Sequence, residues 1–311
     1  MYKDHRITTV VPAHNEANHI GSVIKTMPEF VDRIVVVDDC SSDGTGEVAR
    51  TSSDPRVVVI STASNRGVGG ATVLGYRRAV EFGADVIVKM DGDGQMSPEH
   101  LPHLLDAIIE EGYDYAKGNR FLTRQSLSGM PFHRVLGNIV LTFMTKMASG
   151  YWHVFDPQNG FTAIKGSVLG SLDLDSIHEG YFFENDMLIH LNVSRFRVKD
   201  VAIPARYGEE MSGINPFRIG VTFPFLLLGK FFYRVLQRYV LRDFSPIAVF
   251  LFLGLALFGW GTIFGVYLWV ETYSTGLPTP TGTIMLALLP LILGFQLLLQ
   301  AIVLDIQETP R

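Results

Sequence analysis

The sequence predicts an α/β fold whose mostly parallel sheet fills the first two-thirds of the chain and gives way to a pair of membrane-crossing helices. Three observations carry that prediction. Short β-branched runs alternate with helical patterns up to about residue 205, acidic residues follow directly on several of those runs, and the last third holds two long stretches without a charge. Alternating apolar strands and helices imply βαβ units and a sheet covered on both faces.

Strands are expected at residues 7–11, 33–38, 57–62, 86–90, 113–117, 160–165 and 199–205, with early helices at 16–26, 44–52, 69–82 and 98–111. In open sheets of this kind ligands bind beyond the carboxyl ends of the strands. The polar residues collect there. His14-Asn15-Glu16 follows the first strand, Asp38-Asp39 ends the second, and Asp91-Gly92-Asp93 follows the fourth.

Of the 311 residues only 18% are charged, against about 25% in ordinary soluble domains. The deficit lies almost wholly after Pro246. Residues 247–270 and 282–304 carry no charge, and about 20 apolar residues suffice to span a bilayer, so both read as transmembrane helices. Before the first span, Lys230, Arg234, Arg238 and Arg242 recur every four residues among aromatic and aliphatic neighbours. Such a stretch is expected to lie in the headgroup layer against anionic lipid. The excess of Lys and Arg on this side puts residues 1–245 in the cytoplasm, the 271–281 connector outside and the tail back inside.

The net charge of −5 argues against nucleic acid as a partner. A single cysteine, Cys40, excludes an intramolecular disulfide and a thiolate zinc site. The first apolar run is too short for a signal peptide, so the chain is expected to start with structure on the cytoplasmic side.

The strongest chemical signal is Asp91-Gly92-Asp93-Gly94-Gln95 at the end of a buried strand. Hard divalent cations take oxygen ligands, and Mg²⁺ or Mn²⁺ commonly bridges few carboxylates to substrate phosphates. An EF-hand loop is excluded, because its sixth position is Met96 and its twelfth Pro102. A plain solvated turn is the other reading of the motif by itself. Asp38-Asp39 supplies a second acidic pair suited to a ribose or base edge, and Asn65-Arg66-Gly67 opens a helix whose N–H groups can face an anion. Neither a dinucleotide fingerprint nor a Walker loop occurs.

Pro12-Ala-His14-Asn-Glu16, Val37-Asp-Asp39-Cys-Ser-Ser-Asp43-Gly-Thr45, Asn65-Arg-Gly67 and Asp91-Gly-Asp93-Gly-Gln95 stand in an order that resembles the family 2 glycosyltransferases of GT-A (Rossmann-like) fold. Gly118-Asn-Arg120-Phe, His133-Arg134 to Asn138, Asp156-Pro-Gln-Asn159-Gly-Phe161 and Ile203-Pro-Ala-Arg206 narrow the resemblance to its polyprenyl-phosphate branch. It implies a catalytic domain over 1–215, amphipathic juxtamembrane helices over 216–245, spans at 246–270 and 282–304 joined by an external loop at 271–281, and a cytoplasmic tail at 305–311.

The resemblance also implies roles. Pro12, His14, Glu16 and Asp39 line the nucleoside pocket, with Asn65 and Gly67 in the donor loop. Asp91, Asp93 and Gln95 hold Mg²⁺ or Mn²⁺ and the donor diphosphate, and Arg120 and Arg134 meet the phosphates, including that of a lipid acceptor. His14 departs from the aromatic residue frequent at its position.

A phosphate acceptor needs no general base, whereas a sugar hydroxyl does. Glu184 and Asp186 are the candidates for that base, or for positioning the donor sugar. A processive synthase is disfavoured, since none of Trp152, Trp260 and Trp269 completes a Gln-x-x-Arg-Trp signature. A hydroxyl-directed transferase and a non-catalytic nucleotide-sugar binder stay open, as do GDP or UDP donors and homo-oligomerisation.

Overall fold

Seven strands form one sheet in the order β3-β2-β1-β4-β6-β5-β7, and the covering helices alternate with them along the chain. The computed structural model describes residues 1–120, 132–204 and 216–310, and they divide into two units, Met1–Phe231 with the terminal residues, and Phe232–Thr309.

In the first unit β1 (Ile7–Ala13), α1 (Ile20–Lys25), β2 (Arg33–Asp38), α2 (Thr45–Arg50), β3 (Val57–Ser61), α3 (Gly67–Glu81) and β4 (Val86–Lys89) alternate. The four strands are all parallel. Next come α4 (Leu101–Ile109, entered through a 3₁₀ turn), β5 (Tyr115–Asn119), α5 (Phe132–Ser149), β6 (Thr162–Lys165) and α6 (Gly166–Leu169). α7 (Phe183–Val193), β7 (Val198–Ala202) and α8 (Pro216–Arg234) follow. β6 runs antiparallel to both neighbours, β4 and β5, while β7 is parallel to β5.

β1 extends two residues beyond its expected end at Val11. Pro12 has no N–H to give, but its carbonyl accepts Gly92 N (3.2 Å), and the Ala13 carbonyl accepts Asp39 N (2.8 Å). The strand ends of β2, β1 and β4 are thereby stitched together. Two apolar cores lie on opposite faces of the sheet. One gathers Val11, Val36, Val88 and Leu104, the other Val10, Val35, Ile87, Tyr76 and Phe183.

One row across the sheet breaks the apolar pattern. Lys89 pairs with Thr162, Thr162 with Lys117, and Lys117 with Asp200. Directly opposed residues share a face, so two lysines project side by side into the protein, each at most 1% exposed.

In the second unit a π-helical stretch, Val235–Leu241, leads to α9 (Pro246–Thr275) and α10 (Thr281–Gln307). Both helices are long and apolar enough to be candidate membrane spans, with mean hydropathies of 2.2 and 2.3. The connector is shorter than expected, residues 276–280, because both helices overrun the uncharged stretches. Gly254 and Gly261 on α9 meet Ala287 and Gly294 on α10. A side chain on Gly261 would stand 2.6 Å from Leu291 N, so glycine is what lets the backbones touch.

The basic stretch before α9 corrects one expectation. Arg234 and Arg238 do not face outward toward headgroups; they are 1% and 2% exposed. Arg234 pairs with Asp305 (2.7 Å), and Arg238 donates to the Glu308 carbonyl (2.7 Å). Burying an arginine is tolerable only when its donors are matched. The outward positions are Leu236, Leu241 and Phe244, together with Arg242, the last of the four cations.

Candidate active site

The site stands where β1, β2 and β4 end side by side. β4 is a four-residue strand, VIVK, buried throughout, and it delivers Asp91 to the surface at once. Gly94, at φ 74°, turns the chain back so that Asp93 Oδ1 accepts Gln95 N (2.9 Å). Asp91, Asp93, Gln95, Arg120 and Gly160 line one cleft of about 130 Å³, with His100, Asn159 and Pro204 on its walls.

Asp91 is fixed from below. Lys89 Nζ donates to Asp91 Oδ1 (2.6 Å), to Glu184 Oε1 (3.0 Å) on α7 and to the Gly160 carbonyl (3.4 Å). Burial favours a neutral Lys89, but the two carboxylates outweigh it and hold its pKa above the ordinary lysine value. Gly160 is required for this arrangement. A Cβ there would lie 2.5 Å from Asp91 Oδ2 and 2.6 Å from Lys89 Nζ.

Lys117, the next lysine in the row, donates to the Asn159 carbonyl. Burial pushes its pKa down to about 8, against the pull of Glu184 and Asp156. Asp200, at the end of the row, is raised by burial although Asn119 Nδ2 (2.6 Å) and Phe155 N (2.8 Å) donate to it.

Arg120 leaves β5 at the cleft wall. Its Nε (2.8 Å) and Nη2 (3.2 Å) both engage Asp156, which is 2% exposed, so a buried carboxylate holds the guanidinium plane at the cleft. The side chain of Arg134, in α5, lies outside the described residues.

A second cluster surrounds Asp39, 3% exposed. Its carboxylate accepts Thr62 Oγ1 (2.8 Å) and Arg66 N (2.9 and 3.0 Å), and its carbonyl bonds His14 Nδ1 (2.7 Å). Asn65 Nδ2 lies 3.3 Å from His14 Nε2. Glu16 N donates to Thr45 Oγ1 (2.8 Å), and Gly67 is held at φ 77° by Asn65 Oδ1 on its N–H (2.9 Å). Pro12, His14, Glu16, Asp39, Asn65 and Gly67 thus gather at one end of β1 and β2.

Glu184 and Asp186 separate. Glu184 is bound to Lys89 beneath the cleft, whereas Asp186 is 0% exposed and pairs with Lys230 of α8 (2.6 Å) while accepting His178 N (2.9 Å). Asp186 thus ties α7 to α8, away from the residues that line the cleft. Lys89 and Lys117 were not singled out from sequence, and Asp156 stood there only as part of a motif with no role of its own. The available signal was a lysine closing an otherwise apolar, doubly buried strand, a position that water cannot solvate.

The two carboxylates at Asp91 and Asp93 fit a hard divalent cation by type and spacing. Among the described residues no group of three or more His, Cys, Asp or Glu could enclose an ion. An ion held by such a pair would complete its shell with oxygens of a ligand or of water.

The model of the glycosyl transferase family 2 matches residues 8–173. Among relatives, the UDP-N-acetylglucosamine–dolichyl-phosphate N-acetylglucosaminyltransferase of Methanococcus voltae is 29% identical over 75% of this chain and 96% of its own length. The undecaprenyl-phosphate mannosyltransferase of Micrococcus luteus is 31% identical over 70% of this chain and 89% of its own. Glucosyl-3-phosphoglycerate synthase of Mycobacterium tuberculosis, solved with Mn²⁺, UDP-glucose and phosphoglyceric acid, superposes with a TM-score of 0.55 at 22% identity, over 74% of this chain and 80% of that one. That likeness shows the GT-A fold. The strand-end carboxylates, the sheet order and the matched family model agree, and the chain is a glycosyltransferase that belongs to glycosyl transferase family 2.

Proposed function

We propose that the chain transfers a single hexose, of mannose or glucose type, from a GDP- or UDP-sugar to a polyprenyl phosphate, inverting the anomeric carbon. One observation carries this reading: Asp91, Asp93 and Arg120 line the same cleft. A carboxylate pair suits a cation-bound diphosphate, and a guanidinium suits a second phosphate, because it binds bidentately and keeps its proton. The two relatives described above both name a polyprenyl phosphate as acceptor, which supports that half of the reading. Their sugars differ, and the donor stays open between GDP and UDP.

Asp91, Asp93 and Gln95 would hold Mg²⁺ or Mn²⁺, which supplies electrostatic stabilisation to the departing diphosphate when bound. Lys89 and Gly160 fix the Asp91 carboxylate. Arg120, held by Asp156, and Arg134 would orient the acceptor phosphate for attack. That phosphate is already an anion near neutral pH, so no residue needs to take a proton from it. Glu184, bound to Lys89, then acts by holding Asp91 from beneath and not as a base.

The two candidate spans anchor the catalytic unit to a membrane, where such a lipid resides. Lys230, Arg234, Arg238 and Arg242 precede α9, while residues 271–280 hold no Lys or Arg, which supports a cytoplasmic catalytic unit. The test is incubation of membranes containing the protein with radiolabelled GDP- and UDP-sugars, polyprenyl phosphate and Mg²⁺ or Mn²⁺. Label is expected in the lipid fraction with one donor. Label that reaches only a hydroxyl acceptor refutes the lipid-phosphate reading.

A further inference from the structure

Lys89 is an unusual neighbour for a cation-binding carboxylate. Its ammonium is 1% exposed and stands 2.6 Å from Asp91 Oδ1, so the first charge Asp91 meets is already inside the protein. The contact is built in from three sides. Strand pairing with Thr162 sets the backbone, Glu184 on α7 takes a second N–H, and the bare α-carbon of Gly160 closes over Asp91 Oδ2. Asp91 itself is 29% exposed at the cleft.

Groups behind a metal ligand tune its strength, and an outer carboxylate makes a ligand a better donor. An ammonium does the reverse: it withdraws charge from the carboxylate and repels the arriving cation. We infer that Lys89 is a positioning residue that makes divalent-cation binding at Asp91 and Asp93 conditional on a nucleoside diphosphate in the same cleft. The inference rests on the proposed donor-diphosphate role of these two aspartates.

The physical logic is a balance of charge. Without donor, an ion at the cleft sees two carboxylates, one of them shared with a buried cation 2.6 Å away. With donor, the diphosphate would add negative oxygens to the cleft, and the ion would gain ligands the protein does not supply. Lys89 therefore orients Asp91 and at the same time keeps the site a poor trap for free cations. The enzyme is spared a bound ion that would have to be stripped or repositioned when the donor enters.

The test measures Mn²⁺ binding, not turnover, by the loss of the free-ion electron paramagnetic resonance signal. Detergent-solubilised full chain is titrated alone, with UDP and with GDP, against nucleotide-only controls. Wild type should bind Mn²⁺ at least ~10-fold more weakly alone than with one of the two diphosphates. Lys89→Met leaves the buried Glu184 carboxylate without its cation beside Asp91 and is at risk of misfolding, so the informative variant is Lys89→Met/Glu184→Gln, which removes the cation and its second partner together. That double variant should bind Mn²⁺ alone ~10–100-fold more tightly than wild type. Glu184→Gln by itself, which leaves Lys89 wholly to Asp91, should show no gain. Equal wild-type binding with and without diphosphate, no gain in the double variant, or a gain in Glu184→Gln overturns the role of Lys89. No Mn²⁺ binding by wild type with either diphosphate overturns the metal site itself, and the inference with it.

Discussion

Arg234 and Asp305, 71 residues apart in sequence, meet through two hydrogen bonds of 2.7 and 3.1 Å while both side chains are buried. Tyr239 donates to the same carboxylate (2.6 Å). The residue pair joins the last turn of α8 to the end of α10, the second candidate span. A buried ion pair contributes little relative to a well-packed apolar pair, but removing one partner strands the other charge. Arg234→Met is therefore expected to lower stability by about 3–5 kcal/mol. Arg234→Met/Asp305→Leu should recover most of that loss. Unfolding midpoints in detergent check both, and an Arg234→Met midpoint equal to wild type would remove the pair from any account of stability.

Gly160 is the position where the smallest substitution should do the most. A Cβ would press on both Asp91 Oδ2 and Lys89 Nζ, and neither can retreat, since Lys89 is locked between strands and α7. Gly160→Ala should leave the sheet intact and displace the Asp91 carboxylate. Misplacement of about 1 Å costs about 100-fold in rate, so kcat/KM should fall by that order. Circular dichroism and transfer assays on the same preparation separate the two effects. A fully active Gly160→Ala variant would mean that the position of Asp91 is not limiting.

Much of this architecture was legible in the sequence because strand and helix signals are local. The β-branched runs located all seven strands to within a few residues, and the uncharged stretches located α9 and α10. The extension of β1 through Pro12 was hidden, because a proline usually marks the end of a strand and the compensating donor, Gly92 N, is remote. That His14 and Asp39 stand beyond one pair of strands and Asp91 and Asp93 beyond β4 followed from reading the polar residues at strand ends. What local pattern did not reveal is pairing across distance. Glu184 lies 95 residues from Lys89, and Asp305 lies 71 from Arg234. The four-residue spacing of cations also misled, since it fixes a helix face without saying whether that face turns inward. Arg234 and Arg238 turn inward because carboxylate and carbonyl acceptors wait there.

Asp93 and Asp91 supply the oxygens proposed to share an ion with the donor diphosphate. Asp93→Ala should lower turnover by at least ~100-fold, the upper end of what loss of a metal-site partner costs, while the protein still folds and inserts. Chelation by EDTA should abolish wild-type transfer, and added Mg²⁺ or Mn²⁺ should restore it. Scintillation counting of the lipid fraction reports each outcome. Undiminished transfer in EDTA would rule out the metal requirement, whatever the variant does.

Lys117 gives the chain a distinctive pH signature. Burial lowers its pKa to about 8 from the usual 10.5, so between these values the unfolded chain holds a proton that the folded chain has released. Stability rises with pH wherever the unfolded state binds more protons. Below pH 8 both states carry the proton, and the full cost of the buried charge is present. As pH climbs from 8 toward 10.5 that cost is progressively relieved, by an amount on the order of 1–3 kcal/mol. Tyrosines and other lysines titrate near the top of this window, so the wild-type curve alone does not isolate Lys117. Lys117→Met removes the titrating group but keeps a chain of similar length against Asn159. Its stability should lack the Lys117 contribution, and the wild-type-minus-variant difference, from denaturant midpoints at pH 7.5 to 10, should rise with pH. A difference that stays flat would show that Lys117 titrates alike in the folded and unfolded chain.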